Sequence, residues 1–486
     1  MQPQTKIFSR VVADYMDGAP LVLPSSATVR HMLDRMTTTK ASCVLVADGN
    51  GRLSGLVTET DVVNRIALRA TGEETLDAVM TAAVGSIAAH DYLYLAIARM
   101  RRHGWRHMPV VDGDSRPVGV MRRYRALEAA AEEVVERIEL ICREGGVDSL
   151  REIKAAQVDL ALSLLDDGVS APEIQQVISH INADIHGRLI EGHLIAMAAT
   201  AWGEPPVRFA LLIMGSGGRG ENYLYPDQDN GFILDDYPDD AHTRIDAFYI
   251  ELAERMTRDL DAVGFPFCKG FVMATNPLWR KTRSQWRAQV SRWGRRRSEI
   301  AIQLSDIFFD FHASWGAVEF GRNLRAAVTE MTTRSPAFLS ALSQELGHGG
   351  VALGWFGRLS TETDAGGREV VNIKHHGTLP LVGSVRLLAL KNGIEETSTL
   401  GRIAALSKVG SIALNERDYL QTAFERISFL LLRQQLHDFA DPDRQVTNFI
   451  APDTLLPRER EELTDALKTV RRFHERVRGE FSAELF

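Results

Sequence analysis

Apolar residues recur along this chain with several different periods, and each period marks a different kind of element. Arg208 to Met214 is a short apolar run closed by glycine, and Gly231 to Leu234 is a second, which predicts two neighbouring buried strands. Upstream, sliding the chain by 64 residues aligns Met16 with Met80, Met36 with Met100, Val46 with Val110 and Gly55 with Gly119. The first 130 residues are therefore a duplication. Each copy predicts an amphipathic helix, with Val29, Leu33 and Met36 or Leu93, Ile97 and Met100 on its apolar face, then a strand, a turn and a strand. The turns are DGNG at 48–51 and DGDS at 112–115.

Helical spacing dominates from 126 to about 200. Ser149 and Glu152 have capping-box spacing ahead of Ile153, Leu160 and Leu164, and Gly168 is placed to end that helix. Ser170, Pro172 and Glu173 open the next, with Ile174, Val177, Ile178, Ile181 and Ile185 on its apolar face. Two further stripes, Leu420–Phe424–Ile427–Leu431 and Leu463–Leu467–Val470–Phe473, make the last third helical. The pattern predicts a multidomain α/β protein: a repeated domain pair over 1–130, a helical connector over 131–200, an α/β domain over 201–325 and a helical domain over 326–486.

Composition narrows the function more than the fold. A net charge of −8 argues against a protein coated in positive charge for nucleic acid. Cys43, Cys142 and Cys268 are too few and too scattered for a disulfide framework or a zinc site. No stretch approaches the roughly 20 apolar residues of a membrane span, and the N-terminus lacks the apolar core of a signal peptide, so a cytoplasmic protein is predicted. His180, His186 and His193 have no acidic or cysteine partners at a metal spacing and read as helix-surface histidines.

The candidate chemistry lies between the two predicted strands. Gly215, Ser216, Gly217, Gly218, Arg219 and Gly220 form a loop whose backbone can approach phosphate, and Asp227 and Asp229 fall on one side of an extended chain. Gly215, Gly217 and Gly220 fit a dinucleotide fingerprint literally, but the following interval, with Pro226, Asp227 and Asp229, carries no helical stripe. A P-loop fails because no Gly-Lys-Ser/Thr follows. Apart from metal binding, the two aspartates can be read as turn acids after Pro226. Downstream, Asp306 and Asp310 share a parity opposite to Phe309 and Phe311, as a strand would place them. The basic run Arg280–Glu299 can track nucleic acid or form a helix with Trp286 and Trp293 turned inward; the second reading is preferred.

Met214, Gly215, Ser216, Asp227 and Asp229 resemble the nucleotidyltransferase superfamily that includes DNA polymerase beta. GSGGRGENYLYPDQDN is closer still to PII-protein uridylyltransferase and to a bacterial family joining CBS domains to a nucleotidyltransferase domain. The resemblance implies a two-ion Mg²⁺ site on Asp227, Asp229 and Asp310, with NTP as substrate and its triphosphate held by Gly215, Ser216 and Arg219. In that family FFDF is usually followed by Arg; here His312 stands instead. Cys268, Lys269, Gly270 and Met273–Arg280 also resemble the family, as does GWFGR with the stretch from Asn372, where Lys374 and Arg386 become candidate phosphate or base contacts or, equally, members of structural ion pairs. His437-Asp438 matches a metal-phosphohydrolase pair, but no companion histidines and aspartates surround it.

In the duplicated region, GLVTETD at 55–61 resembles the ligand motif of a tandem CBS pair. The resemblance implies an AMP- or ATP-type ligand, with Thr58 at phosphate and Asp61 at ribose, and a homodimer built through the CBS domains. Thr58 can equally be a helix cap, with Asp61 favouring the positive helix end. The second copy carries Arg122 and Arg125 at the equivalent places, which departs from the motif. The expected activity is transfer of a uridylyl or adenylyl group to a small acceptor or to a protein such as a PII-like signalling protein, with no role at a membrane or on nucleic acid. The alternative is a catalytically silent nucleotide-binding signalling module.

Overall fold

In the computed structural model, residues 11–122 and 146–483 are described, except 40, 67–70, 83, 92, 296–301, 303–306, 347–349, 355–356, 365 and 442–445. Asp306, Arg125, Cys142 and residues 131–145 of the expected connector lie outside the described residues. The chain divides into two compact units, Met1–Ile141 and Cys142–Phe486.

The first unit repeats itself down to its irregularities. One half is β2 (Val22–Pro24), α1 (Val29–Thr39), β3 (Cys43–Ala47) and β4 (Leu53–Thr58); the other is β6 (Ile87–Ala88), α2 (Leu93–His103), β7 (His107–Val111) and β8 (Pro117–Arg122). The register shifts at Val46/Ala47 in one hairpin and at Val110/Val111 in the other. Two short strands complete the sheets, β1 (Asp17–Gly18) on β8 and β5 (Thr81–Ala82) on β4. A Cβ on Gly55 would lie 2.4 Å from the Met80 sulfur, and one on Gly119 would lie 2.5 Å from the Met16 sulfur. The aligned Met and Gly of the repeat are thus one contact made twice. Met32 packs in the α1 core where Leu33 was expected, and Leu33 faces outward at 36% exposure.

In the second unit, the helices read as a connector belong to the same compact body as the α/β domain. α3 (Val147–Asp166) starts from Gly146, three residues ahead of the Ser149 that sequence spacing nominated as its cap. α4 (Ala171–Ala198) does begin with a Ser170–Glu173 capping box. The central sheet has β9 (Phe209–Ile213), β10 (Asn230–Leu234), β11 (Arg280–Thr282) and β12 (His312–Gly316) in the order β11-β10-β9-β12. Ile213 is registered with Asn230 on one side and His312 on the other, so three strand ends meet at one edge. α5 (His242–Val263) lies against α3 and α4. α6 (Arg283–Arg295) turns Trp286 and Trp293 inward onto Phe308, and Trp286 donates to the Phe232 carbonyl. Then follow α7 (Glu319–Thr333), α8 (Pro336–Leu346), α9 (Leu379–Lys391), α10 (Thr399–Lys408), α11 (Leu414–Phe439) and α12 (Pro457–Ala483). The apolar stripes read from α11 and α12 are buried as expected. Asp438 accepts from Gln434 and Thr447, which gives it a bracing role.

One of the three histidines expected at the surface is internal. His186 on α4 is buried, its Nδ1 donating to the Asn182 carbonyl at 2.7 Å and its ring edge-on to Phe265. Burial, aided by the charge of Lys154, holds its pKa down at about 4. An unfolded histidine titrates near 6.5, so the unfolded chain accepts a proton that the folded unit rejects. Stability from this group is complete above about pH 6.5 and is lost as pH falls towards 4, by up to roughly 3 kcal/mol. Urea unfolding across that window should show the loss, and His186→Gln should flatten the slope; an unchanged slope would remove His186 as its source.

Candidate active site

Strand parity builds the centre of the site. Gln228, between the two aspartates, is buried and donates through Nε2 to the carbonyls of Thr257 at 2.9 Å and Phe265 at 2.8 Å. Its neighbours must point the other way. Asp227 is exposed and Asp229 half-buried on that opposite side. The Met214 N–H donates to the Asp229 carbonyl at 2.8 Å, which sets the carboxylates beside the glycine loop. Asp229 then packs against Gly215, where a Cβ would lie 2.5 Å from Oδ2 and where φ is +59°. The positive φ favours glycine there, and a Cβ would also push the Asp229 carboxylate aside.

The loop itself is a single helical turn, Gly215–Gly218. Its hydrogen bonds run from the amides of Gly218, Arg219, Gly220 and Glu221, which leaves those of Gly215, Ser216 and Gly217 outside the turn's own pairing. Ser216 donates from Oγ to Asn222 Oδ1 at 2.9 Å, and the Asn222 amide donates to Ser179 on α4. Below the following segment, Lys154 on α3 donates to Gln157, Asn182 and the Leu224 carbonyl, and burial lowers its pKa to about 7.

Asp227, Asp229 and Cys268 bring their donor atoms within 4.8 Å of one another. Burial first, and the Asp227 charge second, push Asp229 up to about 7. Burial pushes the Cys268 thiol up to about 12, with Asp229 adding to the effect. Asp229 Oδ1 is inaccessible and has no hydrogen-bond partner. Lys374 lies close enough for both carboxylates to act on it, although burial is the larger influence and lowers its pKa. Two carboxylates with an orphaned oxygen fit a divalent cation.

Asp310 is placed differently from expectation. Instead of lying on a strand, it sits in a turn two residues before β12, and it is not one of the gathered donors. Oδ2 accepts from Arg219 at 2.8 Å and Arg386 at 2.6 Å, and Oδ1 accepts from Arg402 at 2.6 Å. Burial alone would raise its pKa; Arg386, Arg402 and Arg219 together hold it far below the usual carboxylate range. Arg219, expected on phosphate, also pairs with Glu221 at 2.6 Å, and the second Glu221 oxygen accepts the Thr399 amide at the start of α10. The expected third metal ligand and the expected phosphate contact therefore satisfy each other. Glu221, Arg402 and Cys268 had no signal of spacing in the sequence.

Gly218 is the point of closest approach, where a Cβ would lie 1.8 Å from the Asp310 carbonyl oxygen. Asp310→Asn should leave the buried guanidiniums short of counter-charge and destabilise this unit by about 3–5 kcal/mol in urea unfolding. A loss under about 1 kcal/mol would show that the cluster is dispensable.

In unit 1, Thr58 and Asp61 form a reciprocal cap: Thr58 donates from its amide and hydroxyl to Asp61 Oδ2, and the Asp61 amide donates to Thr58 Oγ1. Arg65 donates to Asp61 Oδ1 and to Thr81. The pair lines a cleft of about 530 Å³ with Trp105, His107 and Pro109. In the second copy Arg122 pairs with Asp17 at 2.6 Å.

Comparison with known proteins finds matches in both units. The family model described as "Putative nucleotidyltransferase DUF294" matches residues 155–299, that of the "Putative nucleotidyltransferase substrate binding domain" matches 336–481, and the CBS domain matches twice, over 12–68 and 76–132. Homoserine O-acetyltransferase of Methanocorpusculum labreanum is 31% identical over 111 residues, 23% of this chain and 22% of that protein. Its namesake from Methanosphaera stadtmanae is 25% identical over 108 residues, 22% and 21% of the two chains. The chain thus matches about a fifth of the length of these curated relatives. Among solved structures, a CBS domain protein from Pyrobaculum aerophilum complexed with AMP is 21% identical, covering 24% of this chain and 88% of its own at a TM-score of 0.23. The CBS domain of a membrane protein from Sphaerobacter thermophilus is 28% identical, covering 25% and 88% at a TM-score of 0.23. The chain thus carries, in order, a CBS domain pair, the domain described as "Putative nucleotidyltransferase DUF294" and the domain described as "Putative nucleotidyltransferase substrate binding domain".

Proposed function

We propose that the second unit is a metal-dependent nucleotidyltransferase that moves a uridylyl or adenylyl group from NTP to a protein or small acceptor. The observation that carries this reading is the pairing of Asp227 and Asp229, in the segment leading into β10, with the Gly215–Ser216 turn at the same sheet edge. Asp227 and Asp229 would hold Mg²⁺ or a similar cation, which when bound neutralises triphosphate charge and favours a deprotonated acceptor hydroxyl. The amides of Gly215, Ser216 and Gly217 would orient phosphate oxygens, and the Lys374 ammonium would balance their charge. Arg219 and Asp310 would keep the turn in place from behind. The space enclosed between the turn and the carboxylates is only about 10 Å³, so a nucleotide approaches from the solvent side of Asp227.

One observation favours a second reading, a nucleotide-binding signalling module. A two-ion site on three carboxylates needs Asp310, and both its oxygens already accept from arginines. Pyrophosphate release from each of the four NTPs, with Mg²⁺ and cell extract as the source of acceptor, separates the two. The enzyme should release pyrophosphate with one NTP preferred, and Asp229→Asn should reduce the rate at least about 100-fold. Equal release from both proteins would reject the catalytic reading.

For the first unit the proposed ligand is an adenine nucleotide in the cleft beside Thr58 and Asp61, acting as regulator, with the CBS pairs of two copies forming a homodimer. Titrating AMP and ATP should show binding weakened about tenfold or more in Asp61→Ala, the order of one charge-assisted hydrogen bond. Unchanged affinity would move the ligand elsewhere.

A further inference from the structure

The position of Cys268 gives the carboxylate pair a third donor of a different chemical kind. We propose that Asp227, Asp229 and Cys268 form one cation site with mixed oxygen and sulfur ligands, which takes a thiophilic divalent cation such as Co²⁺, Zn²⁺ or Cd²⁺ in preference to Mg²⁺. The inference rests on the metal-binding part of the proposed function and adds the class of metal.

Three observations support it. The donor atoms of the three residues lie within 4.8 Å of one another, a spread that one ion can bridge with small side-chain movements. Backbone pairing fixes the thiol relative to the carboxylates. The Gln228 amide donates to the Pro266 carbonyl at 3.1 Å, the Asn230 amide donates to the Val272 carbonyl at 3.0 Å, and the Ala274 amide donates to Asn230 Oδ1 at 2.9 Å. Cys268 lies on the loop held between those anchors, and Asp229 lies between the residues that hold it. Independently, Asp229 Oδ1 is cut off from water without a hydrogen-bond donor. A carboxyl oxygen rarely stays buried without a partner unless another group occupies the place, and a cation there would supply that partner.

Charge and hardness decide which cation. Mg²⁺ binds oxygen ligands in a near-octahedral shell and has little affinity for sulfur, whereas thiolate ligands favour softer ions. Binding replaces the S–H proton: the metal–sulfur bond forms as that proton passes to buffer. Two carboxylates and a thiolate around a dication leave one negative charge, which the Lys374 ammonium is near enough to offset. Asp227 is exposed and Cys268 is 6% exposed, so the ion enters past the carboxylate and meets sulfur at the inner end.

The test uses the full chain without nucleotide and Cd²⁺ as the probe. Wild type should develop the ultraviolet thiolate-to-cadmium charge-transfer band, saturating at one equivalent. Cys268→Ser, with Cys43 and Cys142 unchanged, should lose the band and bind Cd²⁺ about 100-fold more weakly, a change of ligand softness alone. Asp229→Asn, which keeps the thiol, should weaken Cd²⁺ binding while retaining a band at high concentration. A band of equal strength and affinity in Cys268→Ser, or none in wild type, overturns the proposal. Because no substrate is present, the two readings fail separately. A Cys268-dependent band without nucleotidyl transfer upholds the site and rejects the enzyme, and transfer with Mg²⁺ in a protein showing no band does the reverse.

Discussion

A single carboxylate shut away from water ties the sheet, the glycine turn and the C-terminal helices together. Asp310 accepts from three guanidiniums that come from three separate places: Arg219 after the turn, Arg386 on α9 and Arg402 on α10. A buried charge is tolerable only when its partners are complete. Around it the second acid, Glu221, takes Arg219 and the α10 amide, while Arg325 donates to the carbonyls of Phe309 and Phe311 and stacks over the Phe311 ring. Burial lowers Arg325 to about 10, the mark of a cation whose surroundings already hold others. The cluster is a joint within this unit, and removing Asp310 or Glu221 leaves the guanidiniums further in excess.

The sequence was informative wherever a single local rule decided the outcome. The duplication, the strands on either side of the glycine turn and the Ser170 cap are set by patterns of a few residues, and each stands where those patterns put it. Asp227 and Asp229 share a side for the same reason. The misread elements are those settled by distant partners. Ser149 fits a capping box, yet α3 gains another turn from Gly146. Met32 displaces Leu33 in the core because the helix is rotated by its packing. Asp310 kept its importance and changed its company, since parity along a presumed strand says nothing about arginines 76 and 92 residues away. Cys268 stood out only through the family resemblance, and its role was not legible for the same reason: Asp227 and Asp229 reach it through backbone pairing across the chain.

The first unit makes the complementary point. Its two copies repeat their register shifts and their methionine–glycine contacts, so the scaffold has been held constant. What differs is polar. Thr58 and Asp61 cap each other in one copy, while Arg122 reaches Asp17 in the other. Duplication supplied the framework twice and left the side chains at the cleft to diverge.

Gln228 has a consequence that concerns chain length more than chemistry. With its amide clamped to two carbonyls beneath the sheet, it counts residues: the positions on either side are outward because this one is inward. Adding or removing one residue between Pro226 and Asn230 would present an amide to solvent and drive a carboxylate into the core. Substitutions around the turn can change what the site prefers, but its spacing is closed to adjustment. The interval is a fixed ruler between the phosphate-facing turn and the acids that serve it.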